Sequence, residues 1–130
     1  MPNCIFCKIV RGELPSIKVY EDEGALAFLT IQPTNTGHTL VIPKNHSVNI
    51  LEISSDEWGR VMKTVHTVAS AVRKGVGADA INLQVVGEEV PHTHIHIIPR
   101  FKDDGLKLWP HHDRRDEEGE PIATKIRAAL

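Results

Sequence analysis

Residues 91–99 read Pro-His-Thr-His-Ile-His-Ile-Ile-Pro, an alternating pattern that is typical of a strand. Because side chains alternate between the two faces of a strand, His92, His94 and His96 are predicted to share one face. Ile95 and Ile97 fall on the opposite face, which suits burial against a core. We therefore predict a strand over residues 93–99 in which His94 and His96 share one side with His92, the residue just before it.

The rest of the chain carries further strand patterns and one long helix. The predicted strands cover residues 17–21, 25–29, 38–43 and 81–86, a short apolar and basic turn covers 5–11, and a short helix covers 122–129. The long helix begins near Ser54, whose hydroxyl caps it while Glu57 reaches back, and its apolar residues keep helical spacing until Gly75 and Gly77. Strand pairs joined by short turns, with one crossover helix, predict an α+β domain on a mainly antiparallel sheet.

Length and composition are those of one ordinary globular domain, residues 1–130, with 41% hydrophobic and 25% charged residues. The formal net charge is −2 and Lys and Arg form no dense stripe, so no nucleic-acid partner is expected. No signal-peptide pattern is visible, and no window approaches the roughly 18–20 apolar residues that span a bilayer. We expect a cytoplasmic protein with no membrane partner.

Three imidazoles beside a glycine-containing turn indicate nucleophilic and acid–base chemistry. A neutral imidazole is a nucleophile at neutral pH, and a neighbouring imidazolium can protonate a leaving group. Together they would divide a reaction into attack and release. The alternatives are a solvated polar face or an adventitious metal patch.

The sequence around this run resembles the signature of the histidine triad family of nucleotide hydrolases and transferases. Residues 87–100 carry the resemblance, and residues 27–33 and 37–46 look like the family's other two blocks in the same order. The N-terminal Cys-Ile-Phe-Cys-Lys-Ile and the region of Trp109 are similar to bacterial, zinc-bearing members. The resemblance covers nearly the whole chain.

The resemblance implies a role for each histidine and for two pocket residues. His94 would attack the α-phosphorus of a nucleotide and form a nucleotidyl-histidine, which water or another acceptor then resolves. His96 would contact the phosphate or leaving group, and His38 would assist proton transfer and orientation. Phe28 and Ile31 match positions that wall the base and ribose pocket.

The resemblance also implies an architecture and a substrate class. The implied fold is a five-stranded, mainly antiparallel sheet with one long helix and short terminal helices, assembled as a homodimer. The expected substrate is a purine nucleotide such as an AMP derivative, hydrolysed as a nucleoside phosphoramidate at its α-phosphate. Two alternatives stay open: a dinucleoside polyphosphate hydrolase or nucleotidyl transferase with the same nucleophile, and a zinc-stabilised nucleotide-binding module with little turnover.

Cys4 and Cys7 have the spacing that lets two thiolates meet one tetrahedral metal ion. Two further ligands are needed to close such a site. Zinc-bearing members of the family imply that these are His46 and His92, which would make a structural zinc site. The alternative is that both cysteines are small buried hydrophobes in a short apolar helix.

Several residues depart from the family pattern in the expected substrate-binding region. Thr30 stands where an aspartate commonly holds the ribose hydroxyls, so ribose binding should be weaker or differently arranged. Glu88 replaces a glutamine and Glu89 a small hydroxyl residue. Two carboxylates would repel a phosphate unless they point away, are protonated or meet a cation. The loop before the histidine run is short, and Asn82 is the candidate for the family's phosphate-contacting asparagine.

Overall fold

The framework is an antiparallel sheet, seen in a computed structural model that describes residues 3–130. Its strands are β1 (Lys18–Glu21), β2 (Ala25–Leu29), β3 (Thr39–Pro43), β4 (Ala80–Gln84) and β5 (Ile95–Arg100), and the helices are α1 (Ile5–Val10), α2 (Ser55–Val76) and α3 (Asp116–Ala128). The five strands lie in the order β1-β2-β3-β5-β4, and every neighbouring pair is antiparallel. The predicted α+β class and five-stranded sheet are confirmed.

The long helix α2 covers one face of the sheet. Ser54 caps it by accepting a hydrogen bond from the backbone N–H of Glu57 at 3.2 Å, and Gly77 ends it in the left-handed region at φ 68°. The Glu57 carboxylate does not complete the predicted reciprocal cap, because it accepts from the Asn45 side chain at 3.1 Å. The buried core between α2 and the sheet consists of Ala25, Ala27, Val41, Ile53, Val61, Val65, Val68, Val72, Ile95 and Ile97. Each buried aliphatic side chain contributes roughly 1.5–3 kcal/mol.

The N-terminal helix α1 covers part of the opposite face. The predicted turn at residues 5–11 is in fact this helix, with Cys4 as its cap residue. The segment is helical because its apolar residues pack against the sheet, and such packing stabilises a helix that is too short to be stable alone. The second core cluster consists of Cys4, Phe6, Cys7, Leu26, Phe28, Leu40 and Ile42.

The predicted strand over residues 93–99 begins too early, because β5 starts at Ile95. Its pairing with β3 ends where Val41 meets Ile95. Before that point Thr93 bonds elsewhere: its backbone N–H donates to the Ser47 carbonyl at 2.7 Å, and the two hydroxyls lie 2.8 Å apart. The strands predicted elsewhere agree with the structure to within two residues at each end.

The C-terminal helix is longer than predicted and packs on no core. Helix α3 begins at Asp116 rather than at residue 122, with Pro121 inside it, and its first turn is acidic, which stabilises a helix N-terminus. None of its residues is buried. Within residues 3–130, no helix has the length and apolarity that crossing a membrane requires.

Candidate active site and metal-ligand cluster

His38 and His96 form a hydrogen-bonded pair with a fixed direction. The backbone N–H of Thr34 donates to His38 Nδ1 at 3.0 Å, so the hydrogen of the neutral His38 ring resides on Nε2. His38 Nε2 lies 2.9 Å from His96 Nδ1 and donates to it. His96 must then carry its own hydrogen on Nε2. The pair sits side by side because His38 immediately precedes β3, and His96 in β5 is paired with Leu40.

His94 is oriented by the chain that precedes β5. Its Nδ1 lies 2.7 Å from the carbonyl oxygen of His92 and donates to it, which leaves the lone pair on Nε2. The ring is buried, and it packs edge-on against Phe6 and His96 with centroids 5.2 and 5.1 Å apart. His92 also contacts Phe6, so the three histidines share the α1 side of the sheet as predicted.

Burial keeps the paired imidazoles neutral. Desolvation lowers the pKa of His38 and lowers the pKa of His96 to about 4, where the neighbouring His94 and His38 rings add to the shift and Glu89 opposes it. A histidine whose pKa is lowered loses its positive charge well below neutral pH. His96 therefore offers a neutral N–H donor rather than an imidazolium at pH 7.

These rings open onto a cavity of about 680 Å³, within the usual size of small-molecule sites. Its apolar wall comes from α1, β2 and the segment around residue 31. The lining residues are Ile5, Phe6, Ile9, Pro15, Ser16, Ile17, Phe28, Leu29, Thr30, Ile31, Gln32, Leu40, Glu89, Val90, His94 and His96. The cavity thus combines a broad apolar surface with a polar end.

The structure brings most of the predicted substrate-binding residues to this cavity. Phe28 is buried in its wall, while Ile31 is 95% exposed at its edge. Thr30 also lines it, and its hydroxyl accepts from the backbone N–H of Gln32 at 3.4 Å. Glu88 and Asn82 are not among the lining residues; Asn82 lies on β4 opposite Ile98.

Sequence reasoning missed the wall that α1 supplies. Phe6 contacts both His92 and His94, but the sequence predicts a turn over this segment and so does not identify Phe6 as a site residue. The signal that was present is the run of apolar residues around the two cysteines. The Thr34 amide, which orients His38, carried no sequence signal because any non-proline residue provides one.

Four residues that could hold a metal ion lie together beside the cavity histidines: Cys4, Cys7, His46 and His92. Both histidines turn Nδ1 toward the thiols. Cys4 Sγ lies 3.3 Å from His92 Nδ1, Cys7 Sγ lies 3.3 Å from His46 Nδ1, and the two Nδ1 atoms are 3.3 Å apart. All four donor atoms lie within 4.8 Å of one another.

These distances fit the edges of a tetrahedron around one zinc ion. Zinc bond lengths of about 2.3 Å to sulfur and 2.05 Å to nitrogen give edges of about 3.4 Å between nitrogens and 3.6 Å between sulfur and nitrogen. The His92 ring is also prepared for ligation, since its Nε2 lies 2.9 Å from the Pro43 carbonyl and donates to it. Such a bond on the far nitrogen leaves Nδ1 free for a metal.

A second cluster joins Glu89 to the catalytic candidates. A carboxylate oxygen of Glu89 and one ring nitrogen each of His94 and His96 lie within 4.8 Å of one another. Glu89 is exposed, whereas His94 is buried. One of the two acidic departures from the family pattern therefore faces the reacting end of the cavity.

Comparison with known proteins identifies the family. The HIT domain matches residues 11–103, and the chain belongs to this histidine triad family. It is 38% identical to adenosine 5'-monophosphoramidase hnt1 of Schizosaccharomyces pombe, covering 96% of this chain and 99% of that protein. It is 36% identical to adenylylsulfatase HINT3 of Arabidopsis thaliana, covering 98% of this chain and 70% of that protein.

Solved structures share the fold along nearly the whole chain. A HIT family member from Bacillus subtilis has a TM-score of 0.89 at 40% identity, covering 98% of this chain and 97% of that one. A Zn-bound histidine triad family protein from Mycobacterium smegmatis has a TM-score of 0.78 at 33% identity, covering 99% of each chain.

The hydrogen-bond pattern predicts the tautomer of each active-site histidine. Long-range ¹H–¹⁵N spectra at pH 7 are expected to show His94 with its hydrogen on Nδ1, and His38 and His96 with theirs on Nε2. On acidification His96 should stay neutral until the pH approaches its pKa of about 4, because burial penalises its charged form. In His38→Phe, which removes the donor, the His96 preference for Nε2–H should weaken. A doubly protonated His96 at pH 6 in the wild type would contradict this arrangement.

Proposed function

We propose that this protein hydrolyses nucleoside phosphoramidates at the α-phosphate through a nucleotidyl–His94 intermediate. The observation that carries the proposal is the orientation of His94, whose Nδ1 is held by the His92 carbonyl so that Nε2 keeps its lone pair. Family membership and relatives named as an AMP phosphoramidase and an adenylylsulfatase support nucleotide hydrolysis. The apolar wall around Phe28 suits a base and ribose.

The proposed reaction has two steps at phosphorus. His94 Nε2 forms a bond to the α-phosphorus while the bond to the leaving nitrogen breaks, and that nitrogen, which has already taken a proton from water, keeps the electron pair and departs as a neutral amine. As His94 becomes positively charged, its Nδ1–H bond to the His92 carbonyl strengthens. His96 donates Nε2–H to a phosphate oxygen. Water then forms a bond to phosphorus as the bond to His94 Nε2 breaks: His94 keeps that electron pair, a proton of the water passes to solvent, and the nucleoside monophosphate is released.

Trapping the intermediate tests this proposal. Wild-type protein quenched in acid-free denaturant during turnover of adenosine 5'-phosphoramidate is expected to carry a nucleotidyl adduct, seen by mass spectrometry. In His94→Ala the adduct should vanish and turnover should fall by roughly 10³-fold or more, because the nucleophile is gone.

The matched control is His66→Ala, since His66 is an exposed histidine of α2. This variant should form the adduct as the wild type does. A wild-type enzyme that forms no adduct with any phosphoramidate or anhydride would rule out the proposal and leave the binding-module alternative. An adduct formed from diadenosine polyphosphates but not from the phosphoramidate would favour the dinucleoside polyphosphate alternative.

We also propose that Cys4, Cys7, His46 and His92 bind one structural zinc ion. The donor spacing supports this, because His46 and His92 both turn Nδ1 toward the thiols at distances that fit a tetrahedral site. A Zn-bound relative is consistent with it. A closed four-ligand zinc site stabilises a fold rather than activating water. Here it would tie α1 to the segment that precedes β5.

Metal analysis tests the zinc proposal. Wild-type protein purified without chelator is expected to hold one zinc per chain, and Cys4→Ser/Cys7→Ser none. If free zinc is present at 100 times its Kd, loss of zinc binding should lower the free energy of unfolding by about 2.7 kcal/mol. His111→Ala/His112→Ala, which removes two exposed tail histidines, should keep the zinc. Wild-type protein without stoichiometric metal would overturn the assignment.

A homodimer is the assembly we propose. The outer edge of β4 pairs with no strand in the described part of the chain, and Leu83 on it is 46% exposed. Apolar residues of α3, Ile122 and Ile126, are exposed as well. Unpaired edges and apolar faces of this kind are commonly covered by a second subunit.

Sedimentation velocity measures the assembly. The wild type is expected to sediment with twice the 14.5 kDa mass of one chain. Leu83→Lys should shift it toward the single-chain mass by placing a charge in the interface, whereas the exposed helix substitution His66→Ala should not. A wild type that stays at 14.5 kDa at tens of micromolar would contradict the dimer.

A further inference from the structure

Glu89 stands where two cavities meet. It lines the 680 Å³ cavity that holds His94 and His96, and it also lines a second cavity of about 390 Å³. The two cavities share Ile5, Glu89 and Val90, so they adjoin. The remaining residues of the smaller cavity are Asn3, Cys4, His46, Val48 and Pro91.

The negative charge of Glu89 lies where it would repel the phosphate of a bound nucleotide. Its carboxylate oxygen lies within 4.8 Å of the ring nitrogens of His94 and His96. A phosphate attacked by His94 is itself anionic, and two like charges at such a distance repel, more so away from bulk water. A carboxylate that stays ionised here is therefore compatible with a bound phosphate only if something positive lies between the two groups.

A metal ion or a protonated nitrogen of the substrate could lie between Glu89 and the phosphate. The hydrogen bonds of His94 and His96 favour the protonated nitrogen. A metal ion on this cluster would need the lone pair of His94 Nε2, which is the pair that attacks phosphorus. It would also need a lone pair on His96 Nε2, which carries a hydrogen because Nδ1 accepts from His38. A protonated nitrogen on the substrate needs neither lone pair.

The geometry points to Glu89 as the residue that selects the leaving group, an inference that rests on the proposed function. We propose that its carboxylate accepts a hydrogen bond from the leaving nitrogen and stabilises that nitrogen in its protonated form. Glu89 thereby favours P–N substrates over nucleotide anhydrides, whose leaving oxygens are anionic. The smaller cavity, with Val48, Val90 and Pro91 in its wall, receives the organic part of a substituted amine.

The chemistry balances without a further reactant. The substrate nitrogen takes a proton from water before attack, which makes it cationic while still bound to phosphorus. His94 Nε2 then bonds to phosphorus, the P–N bond breaks, and the nitrogen keeps the electron pair and leaves as a neutral amine. A neutral His96 is a weak acid, so a nitrogen that arrives already protonated suits this site.

The test compares leaving groups of different charge in wild type and Glu89→Gln. The value of kcat/KM is measured for adenosine 5'-phosphoramidate, an N-alkyl adenosine phosphoramidate and adenosine 5'-phosphosulfate, without divalent cations. We expect the wild type to prefer both phosphoramidates, and Glu89→Gln to reduce their preference over the phosphosulfate by about 10-fold or more. Because Glu89 is exposed, raising the salt concentration should reduce the wild-type preference.

Two further variants keep the result interpretable. Glu23→Gln makes the same change of charge at an exposed residue of the β1–β2 turn, and it should leave the preference unchanged. Glu89→Asp keeps the charge and should retain much of the preference, which a purely steric role would not predict.

Three outcomes would overturn the inference. The first is a Glu89→Gln preference within twofold of the wild type while both enzymes are active. The second is a wild-type preference that appears only after magnesium is added, because Glu89 would then act through a metal ion. The third is a wild type that cleaves none of the three substrates and forms no His94 adduct, and this outcome alone also removes the proposed function.

Discussion

The hydrogen bonds between Thr93 and Ser47 are the constraint on which the site depends. The Thr93 backbone N–H donates to the Ser47 carbonyl at 2.7 Å, and the two buried hydroxyls are 2.8 Å apart. These hydrogen bonds fix the backbone at Thr93, just before β5. Thr93 lies between His92 and His94, whose side chains have different surroundings. On one side the His92 ring faces the cysteines, and on the other His94 faces the cavity. This anchor therefore helps to position both rings, together with the hydrogen bond that each ring makes to a backbone carbonyl.

His92 links the candidate metal-ligand cluster to His94, the proposed nucleophile, through two different parts of the same residue. Its ring places Nδ1 among the ligand atoms while its Nε2–H donates to the Pro43 carbonyl. Its backbone carbonyl accepts from His94 Nδ1 and so orients that ring. A shift of His92 would therefore disturb both places, and a metal ion bound as proposed would influence His94 through this residue without contacting it.

Much of the fold and part of the site follow from the sequence, for reasons that are local. The alternation at His94 to Ile97 predicts the faces of β5, and the helical period after Ser54 predicts α2. The start of β5 could not be predicted, because it depends on Ser47, which lies 46 residues away. The local pattern of residues 5–11 does not distinguish a turn from helix α1, since this helix is stabilised by packing of residues such as Phe6. Which of Glu88 and Glu89 faces the cavity depends on loop torsions that residue type does not determine.

The relay from Thr34 through His38 to His96 has a polarity that cannot be reversed. An imidazole can exchange its donor and acceptor nitrogens, but a backbone amide can only donate. The amide at the start therefore determines what the last ring offers, and His96 presents a hydrogen to the cavity whatever ligand arrives. His96 consequently favours a ligand atom that has a lone pair and can accept a hydrogen bond. A ligand atom that can only donate a hydrogen bond finds no acceptor on this ring.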